Sequence, residues 1–157
     1  MFSLSAEGKA EIQKEMTRYE TKESAIIPSL YIAQKENKGW ISDEVILHLS
    51  QVMDIPESRI NEVFKFYTMF NQESVGRNHI QVCTNISCAL NGGRELAAHV
   101  LKELKLEFNQ VSEDGKYCVS HVECLGSCGT APMMQINETY HENLTPESAM
   151  NIIRGLK

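Results

Sequence analysis

Hydrophobic side chains recur at helical spacing through the first half of the chain, and a small polar residue or a proline precedes most of the apolar stretches. A side-chain oxygen at such a position accepts hydrogen bonds from the first turn, where proline is also tolerated because its missing N–H costs little. The pattern predicts four helices: Glu7–Arg18 after the cap Ser5, a second from Ser24 to Gly39 with Pro28 in its first turn, a third after Ser42, and a fourth opened by Pro56. Residues 1–75 are therefore expected to form a helical domain.

The pattern changes after residue 76 to short runs of alternating or continuous apolar residues with a helical stretch between them. It predicts strands at His79–Cys83, Phe108–Val111, Tyr117–Val122 and Met133–Ile136 with a short piece at Tyr140, and helices at Gly93–Leu104 and after Thr145–Pro146. Asp114–Gly115 is a strong turn signal and predicts a hairpin between the second and third strands. Residues 76–157 are expected to form two layers of helix and sheet, which makes the whole chain an α+β protein.

Composition and charge narrow the classes of function. The 157 residues are 42% hydrophobic and 23% charged, with a formal net charge of −6. Neither half carries a basic patch, so nucleic acid and anionic membrane surfaces are not expected partners. The third and fourth helices raise the possibility of a helix-turn-helix, but Arg59 and Lys65 face Glu57 and Glu62 in the same segment. That balance of charge favours a packed helical domain.

The N-terminal residues are polar and acidic and lack the basic start and apolar stretch of a signal peptide. No apolar run approaches the roughly 18 residues that suggest a membrane-spanning helix. The chain is therefore expected to be cytoplasmic and not inserted directly into a membrane.

Five cysteines in such a chain indicate metal or redox chemistry, because disulfides are uncommon in the cytosol. Four residues separate Cys83 from Cys88, and three separate Cys124 from Cys128. Thiolates suit soft multi-iron centres, and four of them complete a [2Fe–2S] cluster. A structural zinc site or a dithiol redox site stays open on spacing alone, with the cluster favoured. Cys118 is interpreted as a small buried hydrophobic residue, not as a ligand.

Residues beside the second pair bear on how such a cluster would behave. Gly126 and Gly129 bracket Cys128 and let backbone N–H groups approach the sulfur atoms closely. Donors of this kind stabilise a reduced cluster, whereas the carboxylate of Glu123 beside Cys124 opposes reduction. Together with the acidic composition, this carboxylate predicts a low reduction potential.

The sequence contains no glycine-rich nucleotide fingerprint, no phosphate loop and no convincing nucleophile–base arrangement, and Gly92–Gly93 is too short a signal to count. No catalytic residue is expected. The histidines are scattered, at His48, His79, His99, His121 and His141. A Rieske-type centre, which needs two histidines, is not expected because four cysteines are available. His121 is near the second pair and is a candidate to modulate it.

Three segments carry a resemblance to a known family: SAIIPSLYIAQKENKGW at 24–40, HIQVCTNISC at 79–88 and DGKYCVSHVECLGSCGTAPMMQIN at 114–137. They resemble the small thioredoxin-like [2Fe–2S] subunit of the NADH-oxidising module of respiratory complex I. Both cysteine spacings match, as does the run Cys124–Met133, and the similarity includes FYTMF at Phe66–Phe70 in the helical half. The stretch Ala89–Gly93 departs from the bulkier, more basic sequence of the family, which affects local contacts and not the ligands.

The resemblance implies a helical domain followed by a thioredoxin-like [2Fe–2S] ferredoxin domain, with Cys83, Cys88, Cys124 and Cys128 as the cluster ligands. It implies an electron-transfer subunit of NADH:quinone oxidoreductase, held on the cytoplasmic face of the inner membrane through the complex. FMN and NADH would then belong to a partner flavoprotein subunit.

Alternatives at the level of the host complex are an NAD-linked hydrogenase or a formate dehydrogenase, in which related subunits occur. The alternative of another class is a zinc-stabilised interaction domain, and a dithiol oxidoreductase on a thioredoxin-like frame is a further one. Thioredoxin-like folds also often carry a cis proline just before the strand of the second hairpin, which is the place of Pro132 in this chain.

Overall fold

The computed structural model describes residues 2–156, and the chain divides into two compact units between Ser74 and Val75. The first unit is helical and the second contains a sheet with helices. That the segments 1–75 and 76–157 fold as independent domains stays a prediction.

The first unit contains the predicted helices, each held by an apolar stripe. They are α1 (Ala6–Met16), α2 (Ile26–Glu36), α3 (Asp43–Met53) and α4 (Glu57–Phe66). Ser5 Oγ accepts from the Gly8 N–H at 2.9 Å and Ser42 Oγ from the Val45 N–H at 3.4 Å, so two of the predicted caps are confirmed. Buried side chains from the four helices form one core, which includes Ile12, Leu30, Val45, Leu49, Ile60 and Phe64.

The start of the second helix differs from the prediction. Residues Lys22–Ala25 form a 3₁₀ turn, and the α-helix begins at Ile26. Ser24 does not cap it, because the Ser24 hydroxyl lies 3.0 Å from Thr21 Oγ1. At the other end the prediction of a left-handed glycine is confirmed: Gly39 has φ +89° and donates its N–H to Gln34 O at 2.8 Å.

The second unit contains the predicted strands and helices in the predicted order except for one strand, together with two further short elements. The strands are β1 (Asn78–Cys83), β2 (Tyr117–Val122), β3 (Met134–Ile136) and β4 (Thr139–His141), and the helices are α5 (Ile86–Leu90), α6 (Gly93–Leu104) and α7 (Pro146–Arg154). Thr145 caps α7 through the Ser148 N–H, and Pro146 occupies its first turn. The sequence pattern missed α5 and a 3₁₀ turn at Cys128–Thr130.

Within residues 2–156 the four strands form one sheet in the order β2-β1-β3-β4. β1 and β2 are parallel and joined through α6, whereas β3 is antiparallel to β1 and to β4. One core joins apolar residues of the strands with the inner faces of α6 and α7: Ile80, Val82, Leu96, Val100, Val119, Met134, Ile136, Ala149, Met150 and Ile153. The α+β prediction is confirmed, and Ala131–Pro132 is a cis peptide bond.

The predicted strand Phe108–Val111 is wrong. It is reduced to a single bridge between Val111 and Cys118. Asn109 adopts a left-handed conformation with φ +65°, which interrupts extended backbone, and Phe108 is 39% exposed. The Asp114–Gly115 turn forms nevertheless, with Gly115 at φ +67°.

No helix in the described part of the chain is both long and apolar enough to cross a bilayer.

Candidate iron–sulfur site

The two cysteine pairs meet at one edge of the sheet because of strand direction. Cys83 is the last residue of β1, and its register partner on parallel β2 is Val122. The carboxyl ends of parallel strands lie at the same edge, so Cys124, two residues past Val122, comes close to Cys83. Cys88 lies in α5, and Cys128 opens the 3₁₀ turn.

All four predicted ligands line one pocket of about 300 Å³. Cys83 and Cys88 are buried, whereas Cys124 and Cys128 are exposed. The rest of the lining comes from the same two loops: Asn85, Ile86, Ser87, Gly126 and Ser127. The pocket therefore has a buried thiol side and a side open to solvent.

The first pair is fixed by close backbone packing. Asn85 Oδ1 caps α5 through the Ile86 N–H at 2.8 Å. A Cβ placed on Gly93, the first residue of α6, would lie 2.8 Å from Cys83 O and 2.8 Å from Cys88 O. Any larger residue at Gly93 would push the backbone of both cysteines, so this glycine is a structural requirement. The sequence analysis considered Gly92–Gly93 only as a phosphate-binding signal and did not predict this role.

The second pair is carried by a turn in which one backbone amide donates to a cysteine sulfur. The Gly126 N–H lies 3.3 Å from Cys124 Sγ, as expected from the glycines around Cys128. Gly126 has φ +77°, a conformation that costs glycine little. Ser87 Oγ donates to Cys128 O at 2.9 Å and so joins the loop of the first pair to the loop of the second.

Burial alters the acidity of one of the inner thiols, that of Cys88. Burial, together with a hydrogen bond to Cys83, raises the pKa of Cys88 to about 11. A thiol in this environment is deprotonated when a metal cation compensates its charge, because the thiolate and not the thiol is the ligand.

The family model for thioredoxin-like [2Fe–2S] ferredoxin matches residues 12–157. The chain belongs to this family.

Two curated relatives illustrate the likeness. The E subunit of the NADH-quinone oxidoreductase of Rickettsia bellii (strain RML369-C) is 42% identical over 138 residues, which are 88% of this chain and 83% of the relative. The mitochondrial NADH dehydrogenase [ubiquinone] flavoprotein 2 of Dictyostelium discoideum is 35% identical over 158 residues, covering 99% of this chain and 64% of the relative. Thus the chain spans most of the bacterial relative and somewhat less than two thirds of the mitochondrial one.

A crystal structure of an NAD⁺-reducing [NiFe]-hydrogenase in the air-oxidized state matches with a TM-score of 0.68 and 21% identity. The match covers 80% of this chain and 22% of the hydrogenase chain. At this identity it shows a shared fold.

The residues of this ferredoxin fit a [2Fe–2S] cluster. Four sulfur donors of the soft kind that iron–sulfur clusters take surround one pocket, and a backbone N–H already points at one of the sulfurs. Within residues 2–156, no three or more His, Cys, Asp or Glu side chains are arranged to hold a metal ion. The four cysteines nevertheless line one pocket, and the family identifies the cofactor as a [2Fe–2S] cluster.

The sequence analysis did not predict the residues after the loop that hold the second cysteine loop of the ferredoxin by hydrogen bonds. Tyr140 Oη donates to Leu125 O at 2.8 Å, and the Asn143 N–H donates to Thr130 O at 2.8 Å. Glu142 accepts from Thr130 Oγ1 at 2.7 Å and from the Ser127 hydroxyl. The sequence analysis predicted a hairpin at Tyr140, but no local sequence signal identifies the hydrogen bonds that this segment makes with the second cysteine loop.

Cys118 and His121 lie outside the cysteine pocket. Cys118 is buried on β2, and burial raises the pKa of its thiol, which agrees with its interpretation as a small hydrophobic residue. His121 packs edge-on against Phe108 with ring centroids 5.0 Å apart, in a second pocket that Arg94 also lines. The structure therefore does not support His121 as a modulator in contact with the cysteines.

Proposed function

We propose that this ferredoxin is the electron-transfer subunit of an NADH:quinone oxidoreductase, with Cys83, Cys88, Cys124 and Cys128 as the ligands of its cluster. The convergence of these four cysteines on one pocket carries the proposal. The bacterial relatives, which are named for NADH-quinone oxidoreductase, support the choice of host complex. A [2Fe–2S] cluster takes up and releases one electron at a time.

The partner is a subunit that holds FMN and NADH. Hydride transfer from a nicotinamide needs a two-electron carrier, and this sequence has no fingerprint for a dinucleotide. The open side of the pocket, where Cys124 and Cys128 are exposed, is the side from which electrons can reach the site over a short distance. In this arrangement the chain is peripheral to the membrane and reaches it through the complex.

An equivalent subunit in an NAD-linked hydrogenase or formate dehydrogenase is the alternative host. The hydrogenase match supports the same fold and does not choose between hosts. The relative at 42% identity is named for NADH-quinone oxidoreductase and the relative at 35% for NADH dehydrogenase [ubiquinone], and both names favour the first proposal.

The test is to purify the chain anaerobically and to measure its visible spectrum, its iron and acid-labile sulfide content, and its EPR spectrum after dithionite reduction. A red-brown protein with iron and sulfide in equal amounts and an EPR signal on reduction is expected. A colourless protein that contains zinc would overturn the cluster and favour a zinc-stabilised interaction domain. Copurification with a tagged flavoprotein encoded by the same host tests the complex separately.

A further inference from the structure

The loop of the second cysteine pair packs on the rest of the unit through Leu125, which lies against Cys83, Cys88 and Met133, and most of its other residues are exposed. Cys124, Gly126, Cys128 and Gly129 are exposed. A Cβ added at Gly126 or at Gly129 would meet no atom within 4 Å. Apart from the apolar contact of Leu125, the conformation of this loop depends on its hydrogen bonds.

One carboxylate oxygen accepts hydrogen bonds from two hydroxyl groups of this loop. Glu142 Oε1 lies 2.7 Å from Thr130 Oγ1 and also accepts from the Ser127 hydroxyl, and the two hydroxyl oxygens are 2.7 Å apart. Ser127 directly precedes Cys128, and Thr130 follows it by two residues. The carboxylate thus ties together the two ends of the turn that presents the Cys128 thiol.

The hydrogen bonds favour an ionised acceptor. The bond from Ser127, and next the bond from Thr130, lower the pKa of Glu142. An ionised carboxylate accepts without donating, so both hydroxyl protons can point toward it, and such charge-assisted bonds are stronger than neutral ones. A negative charge near an anionic cluster opposes electron uptake, so the charge of this carboxylate and its hydrogen bonds act on different properties of the site.

We propose that Glu142 is a positioning residue that holds the loop Cys124–Thr130 in the conformation needed for Cys128 to ligate the cluster. The inference rests on the proposed ligand set and adds to it a residue from the strand–helix connection after β4. Neighbouring contacts act in the same direction, since Tyr140 of β4 and Asn143 of this connection also donate hydrogen bonds to carbonyl groups of the loop.

The decisive comparison is between Glu142→Ala and Glu142→Gln in the complete, cluster-loaded chain. Glu142→Ala removes the shared acceptor, so iron release to a chelator should be severalfold faster and the EPR line shape of the dithionite-reduced protein should change. Glu142→Gln keeps an oxygen acceptor on a side chain of the same length. The rate of iron release and the EPR line shape should therefore be close to those of wild type. Far-UV circular dichroism checks that each variant has folded.

A matched control separates anchoring from charge. Glu123 is an exposed carboxylate beside Cys124 and makes no hydrogen bond or ion pair with other residues in the range 2–156. Glu123→Ala removes one negative charge near the loop and should release iron at the wild-type rate. In a double-mutant cycle, Thr130→Ala should speed release in the wild-type background and add little in the Glu142→Ala background.

If Glu142→Ala released iron at the wild-type rate, the inference would be overturned. A Glu142→Gln variant as defective as Glu142→Ala would also overturn it, because acceptor geometry would then not be the cause, and so would equal loss in Glu123→Ala. A wild-type chain that contains no iron or sulfide would instead overturn the proposed function, and the inference with it.

Discussion

At the scale of single residues, the cysteines occupy three environments. Cys83 and Cys88 form the buried side of the pocket, Cys124 and Cys128 form its exposed side, and Cys118 is buried elsewhere on β2. Sequence spacing grouped the first four and set the fifth apart. The structure agrees with this division because the parallel pairing of β1 and β2 brings the two loops to the same edge.

Serine at any of the four pocket cysteines should remove the cluster or perturb it strongly, because a hydroxyl is a hard and weakly acidic ligand. Visible absorption and the EPR signal of the reduced protein measure the effect. Cys118→Ser is the control and should keep both signals, with some loss of stability because it buries a hydroxyl. Loss of the EPR signal in Cys118→Ser, with retention in one of the four, would show that the ligand set is wrong.

His79 is a buried histidine whose environment clearly lowers its pKa. Its ring Nε2 lies 2.7 Å from Ser120 Oγ, and its backbone N–H donates to Asn137 Oδ1 at 2.9 Å. Burial lowers the pKa of His79 to about 4. The folded protein therefore keeps this imidazole neutral at a pH where the unfolded chain protonates it.

Because the folded pKa of His79 is depressed, its contribution to stability is present above the unfolded value and is lost as pH falls. Between about pH 7.5 and about pH 5 the free energy of unfolding should drop by about 2 kcal/mol through this residue. His79→Gln should show a shallower drop in urea unfolding of the loaded chain than wild type. The control His141→Gln keeps His79, so its free energy of unfolding should fall with pH as that of wild type does. An equal dependence on pH in all three proteins would show that His79 is not the cause of the drop.

At the scale of elements, the junction of α5 and α6 decides how the first cysteine pair is presented. α5 carries Cys88 and ends at Leu90, and α6 begins at Gly93 after Gly92 in a left-handed conformation with φ +90°. The absence of a Cβ at Gly93 lets α6 start against the backbone of both cysteines.

Gly93→Ala should therefore destabilise the second unit and weaken cluster retention. Overpacking of a core commonly costs about 1–3 kcal/mol, and here the obstructing atoms are backbone carbonyls that cannot rotate away. Thermal unfolding followed at the visible absorption of the cluster measures both effects. Gly129→Ala is the matched control for stability alone, followed by far-UV circular dichroism, because its Cβ would meet nothing within 4 Å. A similar loss of stability in that variant would argue against the packing explanation.

At the scale of the whole molecule, all proposed ligands belong to the second unit, and the first unit contributes a separate helical core. The chain carries the site for single electrons, and the proposal places the site for the electron pair of NADH in another subunit.

NADH should not reduce the isolated chain at any concentration, whereas dithionite should bleach its visible absorption. Hydride transfer needs a flavin and a pocket for the nicotinamide and its pyrophosphate, and the sequence shows no glycine-rich turn for the latter. Addition of the co-expressed flavoprotein partner should restore reduction by NADH. Stoichiometric bleaching of the isolated chain by NADH would mean that it contains a nucleotide site.

The sequence by itself determined the features that depend on residues within a few positions of one another. Caps at Ser5, Ser42 and Thr145 placed three helix starts correctly, because a side-chain oxygen meets an N–H only two or three residues ahead. Apolar periodicity found α6 and β2, and the two short cysteine spacings picked out the residues that line the pocket.

Tertiary structure decided what depends on residues far apart in the chain. The need for glycine at Gly93 comes from the approach of α6 to Cys83 O and Cys88 O, and the contact of Glu142 with Ser127 and Thr130 comes from the position of β4 beside the second loop. The stretch Phe108–Val111 has the composition of a strand, but the left-handed backbone at Asn109 leaves one bridge to β2. These features depend on which distant groups come into contact after folding, and a local sequence pattern carries no information about those contacts.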